Sequence, residues 1–379
     1  MKVICDREKL RECLAIANAV IPKKKKKKKR VTKPVLEHVC LVATKGALEL
    51  IGTDLEVSMR LRIEGVTVEE PGRAVIPARM TLEFVTGMSG ETVTLETKDG
   101  TCTITSGADS CGLVTIDPKE FPVVSRFDGA GDVTMQGGTF TKLVQQTAFA
   151  AAPDPGWHFR YAMHGVLLEI GEDRLQLVAT DGRRLALASA PVGSKASDAS
   201  AIVPTKGMQL FCRVISDPQG QIKLSFRENE IGLKSRNAQI FARLIGGDFP
   251  PYTTVLPSEL RNVVEVDRET LAKKLLLVAN VTGDEARAVR LKLSRNDLEI
   301  FWQSVGRGEA TAHLEVDYAG DAAEIAFNPD YVIEGIKNCE TDVVRLEFND
   351  RTRQAKFCLG ESYVYIVMPI TTDEGDDER

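Results

Sequence analysis

Two Thr-Asp pairs, Thr53-Asp54 in IGTDLEVSMRLRI and Thr180-Asp181 in VATDGRRLALAS, are the first residues whose types could do chemistry. Two carboxylates can divide general acid and general base work between them. Their setting points elsewhere, because each pair sits between apolar, strand-like runs, where a short acidic side chain closes a turn by accepting from backbone amides. They also stand at a spacing of 127 residues, as copies of one position in a repeated plan. No G-x-x-x-x-G-K-[ST] phosphate loop, no G-x-G-x-x-G between a strand and a helix, and no G-x-S-x-G elbow occurs. The four histidines (38, 158, 164, 313) lack metal-ligand spacing, and the eight cysteines are scattered without a C-x-x-C pair and read mostly as small buried hydrophobes. The expectation is a protein that is not an enzyme and uses no cofactor or metal.

The other concentrated chemistry is cationic. Lys23, Lys24, Lys25, Lys26, Lys27, Lys28, Lys29 and Arg30 form one block in IPKKKKKKKRVTKP, although the chain carries 49 basic against 54 acidic residues, a net charge of -5. Such a block repels itself and must be surrounded by water or by a polyanion. The overall balance excludes a protein that coats nucleic acid over its whole surface. DEGDDER at residues 373 to 379 places the opposite charge at the other end. No apolar run reaches the roughly 18 residues of a membrane span, and MKVICDREKL is not a signal peptide, so a cytoplasmic protein without membrane contact is expected.

The elements that must position these residues repeat three times. A proline opens an expected helix in VIPARMTLEFV (Pro77), IVPTKGMQLFCRVI (Pro204) and FNPDYVIEGI (Pro329), and a strand runs into x-Pro at Phe121-Pro122, Phe249-Pro250 and Met368-Pro369. Each unit opens on a helical pattern: Leu10, Cys13, Leu14 and Ala17 share one face, as do Leu271, Leu275 and Val278, and GTFTKLVQQTAFAA is a weaker copy in phase. Asp6 and Asp267 are placed to cap those helices. Alternating runs around Asp99-Gly100 and Asn349-Asp350 read as hairpins. The fold expected is α+β, with three tandem similar domains of two helices on two antiparallel sheets: residues 1–127 with a Lys-rich loop at 22–33, residues 128–257, residues 258–370, and an acidic tail at 371–379. Three such domains trace an arc, and two arcs joined head to tail could close a ring without free sheet edges.

KPVLEHVCLVA, GTDLEVSMRL, RYAMHGVLLEI, ATDGRRLALAS, IVPTKGM, ARLIGGDFPPYTTVLP, AVRLKLS, FNPDYVIEGI and YVYIVMPI, in that order from residue 33 to residue 370, resemble the bacterial DNA polymerase III beta subunit, the sliding clamp family. The resemblance implies a homodimeric six-domain ring, with twelve helices around duplex DNA, acting as a processivity factor without catalysis. Lysines suit a sliding surface because they meet phosphates without reading bases. The resemblance places Arg30 and Tyr161 at DNA-contacting positions, and the seven lysines extend that loop beyond the family's pattern; Lys206, Lys273 and Lys274 are helix candidates for the same surface. It implies a partner-peptide pocket of Met163, Thr180, Gly182, Arg183, Arg184, Leu185, Pro250, Val255, Tyr331, Ile366, Met368, Pro369 and Ile370, taking Leu and Phe side chains, with an arginine pairing polar peptide groups. It implies a dimer contact at Cys111, Leu113 and Val281. The implied partners are double-stranded DNA, a second copy, an ATP-driven clamp loader, the replicative polymerase and repair proteins. The competing reading is a DNA-binding scaffold that does not encircle its DNA.

Overall fold

The computed structural model describes residues 1–22, 33–129, 131–153, 161–193, 198–257, 259–282, 287–304 and 307–371, without the side chain of residue 161. Six α-helices occur among them: α1 (Arg7–Val20), α2 (Ala78–Gly87), α3 (Gly137–Thr147), α4 (Thr205–Arg213), α5 (Arg268–Ala279) and α6 (Pro329–Ile336). The first helix of each repeat follows a short strand, Lys2–Asp6, Val133–Gln136 or Asn262–Asp267. Asp6 and Asp267 cap α1 and α5 as expected, accepting from the amides of Lys9 at 2.9 Å and Thr270 at 2.8 Å. The second helix starts at the expected prolines: Pro77 and Pro204 are the N-cap residues of α2 and α4, and Pro329 lies in the first turn of α6. A proline fits there because the amide it lacks would have had no helical acceptor.

Helix periodicity selects the buried face. Leu10, Leu14, Ala17 and Val20 of α1 and Leu271, Leu275, Val278 and Ala279 of α5 are buried. Cys13, expected on the buried face, is only half-buried and lies at its margin. Each fully buried leucine contributes about 2 to 3 kcal/mol by leaving water. Close packing fixes Gly335 in α6, where a Cβ would stand 2.2 Å from the Tyr365 ring.

The chain forms two compact bodies, Met1–Thr141 with Val192–Leu244, and Lys142–Pro191 with Ile245–Arg379. In the first, one antiparallel sheet runs Thr67–Glu70, Lys2–Asp6, Thr92–Lys98, Thr101–Ser106, Asp109–Val114. Its central hairpin turns through Asp99 and Gly100, both at positive φ (49° and 77°), as a two-residue loop requires. The other sheet orders Val133–Gln136, Gln221–Phe226, Glu230–Lys234, Ala238–Arg243, Val57–Glu64, Ala47–Thr53, His38–Thr44 and Gly72–Pro77. In the second body one sheet runs Gly165–Gly171, Arg174–Thr180, Arg184–Pro191, Tyr363–Val367, Ala355–Cys358, Val343–Phe348, Asn262–Asp267. The other runs Gly308–Glu315, Asp297–Ser304, Val289–Ser294, Ala323–Phe327. The Asn349-Asp350 hairpin is wider than a two-residue loop, with Asp350 accepting from the amides of Thr352 and Arg353.

Successive repeats therefore share sheets. Val57 of the first repeat pairs with Ala242 of the second, and Leu185 of the second with Ile366 of the third. The middle repeat contributes to both bodies. No helix among the described residues is long and apolar enough to cross a membrane. Cys5, Cys40 and Cys102 are buried and the other five cysteines are half-buried, fewer in the core than expected; all eight are free thiols. Burial pushes the Cys5 thiol up to about 12, with smaller contributions from Asp6 and Cys13.

Candidate functional site

The two Thr-Asp pairs build the same turn. In the second body the Thr180 hydroxyl donates to the Arg184 carbonyl at 2.7 Å and accepts from the Gly182 amide at 3.1 Å. Asp181 accepts from the amides of Arg183 and Arg184 at 2.9 and 3.0 Å. In the first body Thr53 donates to the Val57 carbonyl at 3.0 Å and accepts from the Leu55 amide at 2.9 Å, while Asp54 accepts from the amides of Glu56 and Val57 at 3.0 and 2.7 Å. Both carboxylates are consumed by backbone amides, which is turn chemistry and leaves no acid-base pair.

In the second body this turn borders a groove of about 290 Å³. Its walls are Met163, Thr180, Gly182, Arg184, Leu185, Pro250, Val255, Ile366 and Met368, nine residues of the expected pocket, together with Pro251, Tyr252 and Thr254, which sequence reasoning did not select. The signal was present in the FPPYTT run, whose two prolines lead into a 3-10 turn over Tyr252–Val255. Gly182 takes its φ of +86° without the steric cost a side chain would carry, and an added Cβ would stand 3.4 Å from the Met163 methyl. The lining is mostly apolar, and Met163 and Met368 supply adaptable, polarisable surface.

Four expected members stand off the lining. Arg183 is exposed, and its carbonyl accepts from the Met368 amide at 2.8 Å. Tyr331 stacks under the Arg184 guanidinium, 4.5 Å from its ring centre. Pro369 is half-buried, and the Ile370 amide donates to Ala326 at 2.8 Å. Arg184 is committed internally: it bonds the second Asp181 oxygen at 3.1 Å, the Phe149 carbonyl at 3.0 Å, and Glu334. Burial lowers its pKa, but Glu334 and the other partners outweigh that, and the net shift is upward. A guanidinium so paired braces the wall and has little left to offer a ligand; the exposed Arg183 is the arginine available for polar groups.

The outer wall is anchored by Tyr252. Its hydroxyl donates to Glu169 at 2.5 Å and accepts from the Gln176 amide at 2.6 Å, and its ring meets Phe249 edge-on at 6.4 Å. Burial, then the Glu169 carboxylate, pushes its pKa up to about 12.

The cationic residues are less concentrated. Lys23 to Lys29, Arg30 and the Tyr161 side chain lie outside the described residues. Lys206 donates to the Val20 carbonyl at 3.2 Å and pairs with Asp54, so its ammonium serves the fold of the first body. Lys273 is exposed and meets Glu269 at 3.4 Å, and Lys274 is half-buried. Sequence reasoning passed over a second groove of about 390 Å³ in the first body, rimmed by Lys9, Arg62, Arg213 and Arg236 over Cys13, Ile16 and Ile63. Those residues come from four separate segments, so no run in the sequence announces them.

Of the expected dimer residues, Val281 is 51% exposed, beside exposed Leu276 and Leu277 of α5. Cys111 is half-buried on the outermost strand of its sheet, Asp109–Val114. Leu113, on the same strand, is 4% exposed and packs into its own body, leaving the neighbouring Val114 (77% exposed) as the apolar side chain available at that edge.

Tandem helix pairs on shared antiparallel sheets, with the turn and pocket built at repeat junctions, define a DNA-clamp fold. Family profiles of the DNA polymerase III beta subunit match in order along the chain, the N-terminal domain over residues 1–125, the central domain over 134–251 and the C-terminal domain over 253–371. A beta sliding clamp of Escherichia coli K12 is 30% identical over 344 residues, covering 90% of this chain and 93% of its own. One from Pseudomonas putida is 29% identical over 374 residues, covering 98% and 100%. The crystal structure of the Pseudomonas aeruginosa sliding clamp superposes with a TM-score of 0.92 at 27% identity, covering 98% of this chain and all of its own. That of Bacillus subtilis reaches 0.92 at 22% identity over 98% and 99%, a likeness of fold alone. The chain belongs to the DNA polymerase III beta subunit family of bacterial sliding clamps. It is a non-catalytic processivity subunit of DNA replication.

Proposed function

We propose that two copies of this chain close into a ring of six domains that encircles duplex DNA without reading sequence, and that the groove around Met163, Leu185 and Met368 tethers polymerase, clamp loader and repair proteins through short apolar peptides. The observation that carries the tethering is the groove itself: mostly apolar, lined by two methionines and the glycine of the turn, with an exposed arginine next to that glycine in the chain. Leu and Phe side chains of a partner fit that chemistry. The Lys23–Arg30 block, Lys273 and Lys274, joined by the basic rim of Lys9, Arg213 and Arg236, are assigned to phosphates, each cation releasing counterions and none reading bases, with Tyr161 contributing a neutral contact to the same DNA. The ring contact is assigned to the edge strand Asp109–Val114 of one copy and the exposed Leu276, Leu277 and Val281 of the other, apolar surface that a second chain would cover. Domain boundaries at 127, 257 and 370 follow the repeat markers. The five acidic residues of the tail begin three positions after Ile370 and would weakly compete with partner peptides there.

Retention on nicked circular DNA, after loading with a clamp loader and ATP, tests the ring. Protein that stays on circles at moderate salt and leaves once a nuclease linearises them is topologically linked. Release that follows salt alone, whatever the DNA ends, would establish the scaffold reading instead.

A further inference from the structure

The groove owes its shape to a hydrogen-bonded clasp on its outer wall. The strands Gly165–Gly171 and Arg174–Thr180 pair so that Glu169 stands directly across from Gln176. Tyr252 reaches this pair from the segment that forms the wall, and its oxygen uses both capacities, donating to Glu169 at 2.5 Å and accepting from Gln176 at 2.6 Å. Gln176 also reaches Glu169, at 3.4 Å, which closes the triangle. Among the described residues few main-chain bonds secure this segment: beyond its own one-turn bonds, Thr254 to Pro251 and Leu256 to Thr253 at 3.3 Å each, the Val255 carbonyl accepts from Gln354 at 3.2 Å. Thr253, Thr254 and Val255 are exposed. Prolines 250 and 251 stiffen the wall, but stiffness does not fix where it stands.

We infer that the Glu169–Tyr252–Gln176 clasp holds the groove open in the free protein, making Tyr252 a positioning residue for partner capture. A wall left unclasped would visit closed positions, and binding would be weakened by the fraction of time it is shut. This deepens the peptide-pocket reading and rests on it for the effect on affinity, though not for the clasp itself.

The test uses the full-length protein with Tyr252→Phe and, as the conservative control, Glu169→Gln, whose amide oxygen can still accept from the tyrosine. Amide hydrogen exchange of Thr253 to Leu256, without any peptide, is expected to quicken about tenfold in Y252F and to stay near wild type in E169Q, with overall melting lowered by no more than a few degrees. Unchanged exchange in Y252F overturns the clasp. A fluorescent peptide carrying adjacent Leu and Phe is then titrated: Y252F should bind about fivefold more weakly, the loss falling on the association rate, because the competent state is rarer. Faster exchange with unaltered peptide association overturns the role in capture. Faster exchange with a wild type that binds no peptide leaves the clasp standing and removes the pocket reading.

Discussion

The first and second Thr-Asp turns have the same hydrogen bonds and opposite surroundings. In the second body the turn borders a groove; in the first, the segment corresponding to the groove's outer wall is packed into the body's own apolar core. Position by position, the cross-strand pair Glu169·Gln176 becomes Val42·Glu49, and Tyr252 becomes Val124. Val124 is buried with Phe121, Val35 and Leu36 in one apolar cluster. Arg60, itself 9% exposed, grips that segment, donating to the carbonyls of Val124 and Ser125 at 3.0 Å each and to Glu49 at 3.0 Å. At the turn, Leu55 takes the place of Gly182 with the same left-handed φ (77° against 86°). One repeat unit thus yields a closed junction or an open one according to whether the segment after Phe-Pro is held by a buried charge or by a half-buried hydroxyl.

Removing the closed junction's charge should have the largest effect. Arg60→Ala leaves two carbonyls without their donor and Glu49 with only Arg126, 3.6 Å away and mostly exposed. A loss of about 3 kcal/mol in the first body is expected, because a buried charge and its acceptors lose partners together. Urea unfolding of R60A beside Y252F checks this: the tyrosine change, at a neutral and half-buried site, should cost no more than about 1 kcal/mol. Equal losses would mean that the two junctions are secured alike. A smaller effect of opposite sign is expected at the turn tips. Leu55→Gly should stabilise by about 1 kcal/mol by removing a side chain from left-handed backbone, whereas Gly182→Leu should destabilise by a similar amount. G182L should also weaken peptide binding about tenfold, since its side chain grows toward Met163 at the mouth of the groove.

What could be read from the sequence was local. Asp6, Asp267, Pro77, Pro204 and Pro329 act on amides within one helical turn, and Asp54 and Asp181 on amides two and three residues away, so their residue types and spacing suffice. Sheet sharing was not legible, because the pairing of Val57 with Ala242 joins positions far apart in the chain and nothing in either strand names its partner. The internal bonds of Arg184 and Lys206 were not legible for a related reason. A basic residue near a pocket or on a helix reads as available, yet Glu334, Phe149 and Val20, distant in sequence, take up their charges. Tyr252 was hidden by its own run, where FPP drew attention and the hydroxyl's partners lie on another hairpin. Arg60 was hidden as well: alternation in VSMRLRI sets it on the face of Ser58 and Arg62, opposite Val57, Met59, Leu61 and Ile63, and its burial comes from the distant segment at Val124 and Ser125.

The smallest expected difference lies between the caps of α1 and α5. Asp6 accepts one bond, from the Lys9 amide, whereas Asp267 accepts from both the amide and the hydroxyl of Thr270, the latter at 2.5 Å. The Thr270 hydroxyl first, and its amide second, hold the Asp267 carboxyl below its ordinary range. A folded-state pKa below the unfolded value gives stability that is full above the unfolded carboxylate pKa of about 3.9 and fades as pH falls through the folded one. Asp267→Ala should therefore lower the melting temperature at neutral pH by slightly more than Asp6→Ala. Its gap from wild type should narrow as the pH drops below about 4, where protonation has already removed the ionised cap. Melting curves of both variants across that range decide it. A D267A deficit that stayed constant down to acid pH would show that the cap acts through its shape and hydrogen bonds, with its ionisation irrelevant to α5.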